Sequence, residues 1–474
     1  MSCRFNLLFH TNPSQEQIMQ TAQPDNDYLA RPDNTRLRHI PGDYGLPFLG
    51  CMIPLINNPS ALIRRYYERY GPVCRTQATG QKIVWALGPD YNRDITVDPE
   101  QIYSARMGYD GMLRDFFAGG LLMKDFGEHH FHRRIMQTAF KIDSLKQHLL
   151  QINERVAHDL PDWSTRPDFH FYPAIKALLL DIGARVFVGL EMGGEAQRLN
   201  QAFLDMMEGV LSIVRRDWPG LLYHRAMNGR RELERFFLEL MPAKRVSDGN
   251  DMMGHFARAL DETGQPYPDQ VVRDHILFLL LAAHDTTTSA LTMAAYYLAR
   301  HPEWQERLRA EALGTNLAAP DYETIKSGLP LTEQTFHEIL RLHPPVPQLM
   351  RRTVRDTELG GYEIPADTLV AISPAFSHRM AEYWRDADRF DPDRFGPERQ
   401  EHKAHPYLWV PFGGGAHKCI GMHFADLLFK CVLHDMLRRY RWSLPAGYPA
   451  SPAIMHFPFS KLKDDLPLRL TPLS

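Results

Sequence analysis

One cysteine in a glycine-rich segment near the end of the 474-residue chain constrains the fold more than any other feature. The segment runs from Phe412 to Gly421, directly before a predicted helix over Met422–Arg439. Glycines allow tight turns and let the backbone approach a large flat ligand. The free N–H groups of a helix start favour an anion such as a thiolate, the form of cysteine that binds metals and attacks electrophiles. Cys419 is therefore a candidate metal ligand or nucleophile, and a buried structural cysteine on a turn is the alternative.

The composition is that of a large globular protein. Hydrophobic residues make up 44% of the chain, which is enough for a sizeable core and too much for a disordered protein. The formal net charge of −3 gives no indication of a nucleic-acid partner. Five cysteines without CxxC spacing argue against a disulfide framework or a cysteine zinc site, and fit a reducing cytoplasm.

The sequence predicts no transmembrane anchor and no secretion signal. The apolar run over residues 276–283 is far shorter than the about 20 residues that span a bilayer. The run over residues 5–9 is too short for a signal peptide. We therefore expect a cytoplasmic protein with a flexible leader over residues 1–38 and one folded domain over residues 39–474.

Hydrophobic periodicity predicts a mainly α-helical protein with a smaller β region. Helical spacing dominates residues 90–345, and one long helix is predicted from Asp269 to Arg300, ended by the following His301-Pro302. Short strands are predicted at residues 73–77, 83–87, 349–354, 358–364 and 368–373.

The segment around Cys419 resembles the haem-binding loop of the cytochrome P-450 family, in which Phe412, Gly415 and Gly421 match the flanking positions. The resemblance covers about residues 40–474. It implies a triangular prism of helices around a buried haem b, with residues 39–474 as the catalytic domain. It also implies that the Cys419 thiolate is the axial ligand of the haem iron.

A polar cluster follows the apolar run in the middle of the long predicted helix. Aspartate and threonine compete with the backbone for hydrogen bonds, so their place on a buried helix is costly unless it is used; a solvent-facing polar face is the alternative. The cluster resembles the oxygen-activation motif of the family. The resemblance implies that Ala282 makes room for haem and dioxygen, that Thr286 hydrogen-bonds the activated oxygen, and that Asp285 relays protons. Ala283 departs from the glycine that the family commonly has there.

Glu338 and Arg341 form a second matching motif. Their i, i+3 spacing makes them neighbours on one helix face. Such pairs are usually exposed and contribute little, but the apolar neighbours of this one favour burial. The resemblance implies that Arg394 completes an ion network with a structural role.

The two propionates of a haem need cations or strong donors. The resemblance assigns this role to His130 and Arg134, which share a helix face, to Arg351 on a predicted strand, and to His417. A basic surface is the alternative, and it would attract an acidic electron carrier. Four neighbours have the same chemical character: His129, His132, Arg133 and Arg352.

The candidate substrate pocket is apolar and contains several methionines, which suits a lipophilic ligand. Plain core packing is the alternative for each position. By the resemblance, the candidates are Met107, Met112, Phe116, Met206, Val346, Leu349 and Phe457.

The resemblance implies a haem-thiolate monooxygenase that hydroxylates a fatty acid, terpenoid, retinoid-like molecule or steroid with O2. No flavin or ferredoxin module is fused to the chain, so we expect a ferredoxin and its reductase as external electron donors. A peroxygenase or isomerase on the same fold is one alternative, disfavoured because Asp285 and Thr286 are both present. A haem-based gas or redox sensor is the other, disfavoured because no regulatory module is attached.

Overall fold

The structure, a computed structural model, describes residues 34–190, 193–210, 212, 214–261, 263–456 and 459–473. Most of the predicted leader and the predicted pocket residue Phe457 therefore lie outside the described residues. Leu37, within the predicted leader, is buried in an apolar cluster with Ile40 and Val73. The packed part of the described chain therefore includes Leu37, which precedes the predicted domain start at residue 39.

Helices dominate the described chain, which confirms the prediction of a mainly α-helical fold. In chain order they are α1 (Met52–Asn57), α2 (Pro59–Tyr70), α3 (Pro89–Val97), α4 (Ala105–Phe117), α5 (Phe126–Gln137), α6 (Ile142–Asp159), α7 (Phe171–Gly183), α8 (Gly194–Val210), α9 (Leu222–Val246), α10 (Met252–Arg258), α11 (Asp269–Arg300), α12 (Pro302–Gly314), α13 (Pro330–Leu342), α14 (Pro374–Ser377) and α15 (Met422–Arg439).

The β region is small and lies mostly in one sheet. The strands are β1 (Val73–Ala78), β2 (Gln81–Ala86), β3 (Tyr103–Ser104), β4 (Leu349–Thr353), β5 (Thr357–Leu359), β6 (Tyr362–Ile364), β7 (Leu369–Ile372), β8 (Tyr440–Ser443), β9 (Ile454–Met455), β10 (Lys461–Leu462) and β11 (Arg469–Pro472). The main sheet has the order β1-β2-β7-β4-β3, in which only β2 and β7 pair in parallel. The remaining strands form two-stranded ladders, of which β8 with β11 and β9 with β10 were not predicted.

The long helix α11 runs through the core with the predicted bounds. The helix ends at Arg300, with His301 as its C-cap. Pro302 begins the next helix, because proline cannot donate an intrahelical hydrogen bond but suits a first turn. Helices α7, α9, α13 and α15 all pack against it. By length and composition α11 could cross a membrane, but 78% of its most apolar window is buried within the protein, as in a core helix.

Candidate active site

The cysteine loop is held between α3 and α15. The Cys419 N–H donates to Phe412 O at 2.9 Å, which closes the loop, and Gly421 directly precedes α15. Gly415 has φ +58°, and a Cβ built on it would lie 1.7 Å from Thr96 O at the end of α3. Any side chain at this position would therefore push the loop away from α3.

The side chain of Cys419 is exposed although the residue lies deep within the protein, so its thiol opens onto an interior space. Burial raises the pKa of the Cys419 thiol, and the Gly421 N–H and the Arg133 charge lower it by less. The start of α15 alone therefore does not produce a thiolate. A bound metal cation would, because a coordinating thiol is deprotonated by the metal.

One turn of α5 carries two inward-facing polar residues that differ from those predicted. His129 is 1% exposed, and its ring lies 3.9 Å from that of His417 between centroids. Arg133, four residues on, is half-buried and lies close enough to Cys419 to lower its pKa. The side chains of His130 and Arg134 are exposed. Their exposure does not favour the contacts with haem propionates that were predicted for them.

The apolar residues of α5 indicate which of its faces is buried. Ile135 and Met136 are both buried, and positions one and two turns before them on the same face include His132 and His129. Burial, together with the Arg133 charge, lowers the pKa of His129 to about 4, so this ring is neutral near pH 7.

Arg351 lies on β4 as predicted and is 4% exposed. Its guanidinium donates to Met350 O at 2.8 Å, and no carboxylate of the described chain lies within ion-pair distance of it. The buried Nδ1 of His129 likewise has no hydrogen-bond partner among these residues. A buried cation without a carboxylate partner and a buried imidazole nitrogen without a hydrogen-bond partner fit a bound anionic group, as the propionates of a haem would be.

The polar cluster of α11 presents two different faces. Thr286 is partly accessible, as is Ala282, whereas Asp285 is buried. The Thr286 hydroxyl donates to Ala282 O at 2.8 Å. Asp285 instead faces α7, where its Oδ1 lies 3.3 Å from Lys176 Nζ.

Lys176 was not identified from the sequence. Burial raises the pKa of Asp285, but contacts with His284 and Lys176 outweigh it, so the pKa lies below its usual value. The neighbouring His284 Nδ1 is also 3.3 Å from Asp285 Oδ1. Local spacing could reveal His284 but gave no signal for Lys176, because this contact joins two helices far apart in sequence.

The structure brings Glu338, Arg341 and Arg394 together, all 0% exposed. Glu338 accepts from Arg341 at 2.6 and 2.9 Å and from Arg394 at 3.2 Å. Glu401, which the sequence analysis missed, accepts from Arg394 at 2.7 Å. Two carboxylates thus neutralise two buried guanidiniums.

Comparison with known proteins decides the family. A sequence model described as Cytochrome P-450 matches residues 40–463. The chain belongs to the cytochrome P-450 family. The protein is therefore a P-450 monooxygenase. Membership of the family implies a haem with a cysteine thiolate ligand, the use of O2 and an external redox partner.

Individual relatives cover almost the whole P-450 chain. A putative cytochrome P-450 136 from Mycobacterium tuberculosis is 38% identical over 450 residues, covering 93% of this chain and 91% of the relative. An abscisic acid 8'-hydroxylase 2 from Oryza sativa subsp. indica is 27% identical and covers 90% and 84%. The solved structure of a retinoic acid bound cyanobacterial CYP120A1 superposes with a TM-score of 0.82 at 27% identity, covering 91% of this chain and 99% of that one.

The predicted pocket residues of this P-450 fall into two groups. Met107, Met112, Val346 and Leu349 have partly accessible side chains. Phe116 and Met206 are 1% and 0% exposed and belong to the apolar core between α4, α8 and α9. A Cβ built on Gly413 would lie 3.7 Å from Leu349 Cδ1, so Leu349 borders the cysteine loop.

Proposed function

We propose that the substrate of this P-450 monooxygenase is a lipophilic small molecule of the fatty-acid, terpenoid, retinoid or steroid class. The observation that carries the proposal is the set of partly accessible apolar side chains just described, with Leu349 beside the cysteine loop. Two relatives are named for lipophilic acids, retinoic acid and abscisic acid. Turnover would insert one atom of O2 into a C–H bond and reduce the other to water, which consumes two electrons and two protons.

The residues around Cys419 fit haem b. The Cys419 thiolate would ligate the iron, and the guanidiniums of Arg351 and Arg133 would bind the propionates with His129 and His417. Bound there, haem supplies the activation of O2 and the oxidation of the C–H bond.

Thr286 and Asp285 would deliver protons. The Thr286 hydroxyl keeps lone pairs free while it donates to Ala282 O, so it can also accept a hydrogen bond from a water in the pocket. Asp285 is held as a carboxylate by Lys176 and His284 on the α7 side of the helix, so it would relay a proton to that water by turning its side chain away from Lys176.

The proposed electron donor is a ferredoxin, reduced by its own reductase in the cytoplasm. Lys418 is exposed beside Cys419, and His130 and Arg134 are exposed on α5. These side chains form a basic surface, which favours approach of an acidic carrier. Cys51 and Cys74 are both buried free thiols, as suits a reducing compartment.

The test begins with the reduced, CO-bound spectrum of the purified protein. We expect a thiolate-type Soret band that Cys419→Ala abolishes and that Cys51→Ala, at a buried cysteine elsewhere, preserves. The ferric protein is then titrated with members of the four lipid classes, and a low-to-high-spin shift identifies the class to test for turnover with O2. A band without thiolate character would contradict the haem-thiolate assignment. Product formation with peroxide but not with O2 would favour a peroxygenase.

A further inference from the structure

A cleft in another part of the protein is lined by residues that do not belong to the candidate active site. It is an open cleft of about 470 Å³ between the start of α2, the segment after α13, and the hairpin of β9 and β10. Its walls combine apolar and polar groups. The polar side chains that line it are Asn57, Asn58, Ser60, His343, Arg379, His456, Ser460 and Lys463.

The charged groups of this cleft are all cationic. None of its described lining residues is a carboxylate. Lys463 is exposed, and no carboxylate among the described residues pairs with it. Arg379 is paired with Asp388 at 2.6 Å, but Asp388 also lies 3.7 Å from Arg64, so two arginines share one carboxylate there. The cleft therefore keeps a net positive charge.

Helix α2 adds to this positive field. The helix has 12 residues and begins in the cleft, where Asn58 caps it by accepting the Ala61 N–H at 3.0 Å. The start of a helix carries a partial positive charge that favours a nearby anion. His456 stands between Arg379 and Lys463, and burial and both of these charges lower its pKa. His456 is thus held neutral, and the positive charge rests on Lys463 and the arginines.

The cleft adjoins the predicted substrate pocket. Pro347 lines the cleft, and Leu349, two residues further along the chain, borders the cysteine loop at Gly413. Two residues of chain span at most about 7 Å, so the cleft wall at Pro347 lies close to the residue that borders the cysteine loop.

We propose that this cleft binds the carboxylate of an amphipathic acid whose apolar part reaches along Leu349 toward Cys419. Lys463 provides the main ionic contact, and Asn57, Asn58 and Ser60 provide hydrogen-bond donors. The direction of the apolar part rests on the proposed function, whereas carboxylate binding in the cleft does not. The arrangement places oxygen insertion at the end of the substrate remote from its carboxylate.

The experiment measures binding by calorimetry, with dodecanoate and 1-dodecanol as probes and the haem-containing protein as the host. Lys463→Gln is compared with Lys461→Gln, a control on the same hairpin whose amine is paired with Asp465 at 3.2 Å. We expect Lys463→Gln to weaken dodecanoate binding about tenfold. Lys463→Glu should weaken it further, 1-dodecanol binding should not change, and Lys461→Gln should bind both probes as the wild type does.

Three results would overturn the proposal. The first is that the wild-type protein does not bind dodecanoate. The second is that both Lys463 variants bind dodecanoate as tightly as the wild type does. The third is that the Lys463 variants lose as much affinity for 1-dodecanol as for dodecanoate. Inorganic phosphate is titrated separately; binding of phosphate that depends on Lys463, without preference for dodecanoate over 1-dodecanol, would assign the cleft to small anions instead. The reduced, CO-bound spectrum reports on the proposed function independently, so failure of one proposal is distinguishable from failure of the other.

Discussion

Replacing Arg351 by methionine should stabilise the haem-free form of the protein against unfolding and weaken haem binding in the haem-bound form. Arg351 is 4% exposed; its guanidinium donates to Met350 O and hydrogen-bonds the Tyr109 side chain, but no described carboxylate lies within ion-pair distance of it. A buried cation without a carboxylate partner costs several kcal/mol, which these hydrogen bonds partly relieve. We therefore expect Arg351→Met to raise the free energy of unfolding of the haem-free protein by about 1–3 kcal/mol.

The haem-bound protein should respond in the other direction. If a propionate is the partner of Arg351, removing the guanidinium leaves a buried carboxylate unpaired, at a cost of about 3–5 kcal/mol to haem binding. That corresponds to haem dissociating at least about a hundredfold more readily. The neighbouring Arg352, paired with Asp367 at 3.0 Å, provides the control.

The assay combines urea unfolding of both forms, followed by far-UV circular dichroism, with the rate of haem transfer to an acceptor globin. Arg352→Met should lower the stability of both forms by a similar, small amount because its ion pair is intact in each. Destabilisation of the haem-free protein by Arg351→Met, with haem transfer unchanged, would refute the reasoning, because Arg351 would then have its partner within the protein.

Three further predictions follow from particular contacts. Thr286→Ala should divert electrons from product to hydrogen peroxide. Thr288 is fully buried and its hydroxyl donates to His284 O at 2.9 Å, so the control Thr288→Ala should still couple electron consumption to product. Equal peroxide yields from the two variants would contradict the role assigned to Thr286. Glu338→Gln should lower the free energy of unfolding by about 3–5 kcal/mol, because it breaks a buried ion pair. Glu232→Gln, in the exposed pair with Arg198, should lower it by less than about 1 kcal/mol. Similar denaturation midpoints for the two variants would contradict a structural role for Glu338. Burial lowers the pKa of His148 to about 4, so the unfolded chain binds more protons between that value and 6.5, and stability falls as the pH falls through this window. His148→Leu should reduce the loss between pH 7 and pH 5 by about 2 kcal/mol, and an unchanged loss in urea titrations would exclude His148 as a source.

Local chemistry explains which parts of the fold could be predicted. The bounds of α11 and α15 follow from a proline after one and a glycine before the other, and both act within a few residues. The turn at Gly360-Gly361 between β5 and β6 is similarly local. Strand β8 pairs with β11 about 30 residues later, and no nearby residue signals that pairing.

The site residues that escaped prediction are those whose partners are set by tertiary packing. His129 and His130 are chemically identical, and what distinguishes them is that His129 shares the face of α5 that Ile135 and Met136 bury in the core. Lys176 and Glu401 reach Asp285 and Arg394 from elements whose positions the spacing of the motifs does not specify. A motif thus identifies the residues that must do the chemistry, but not those that hold them in place.

Two sets of arginines near the candidate active site differ in how their charge is balanced. Arg341 and Arg394 are matched within the chain by Glu338 and Glu401. Arg133 acts on Cys419 and Arg351 on His417, and no ion pair among the described residues neutralises these two arginines, while the imidazoles beside them stay neutral through burial. A haem brings two propionates, whose charge is opposite to that of this second set. We therefore expect the first set to stabilise the fold with or without haem, and the second set to become favourable only when the cofactor binds.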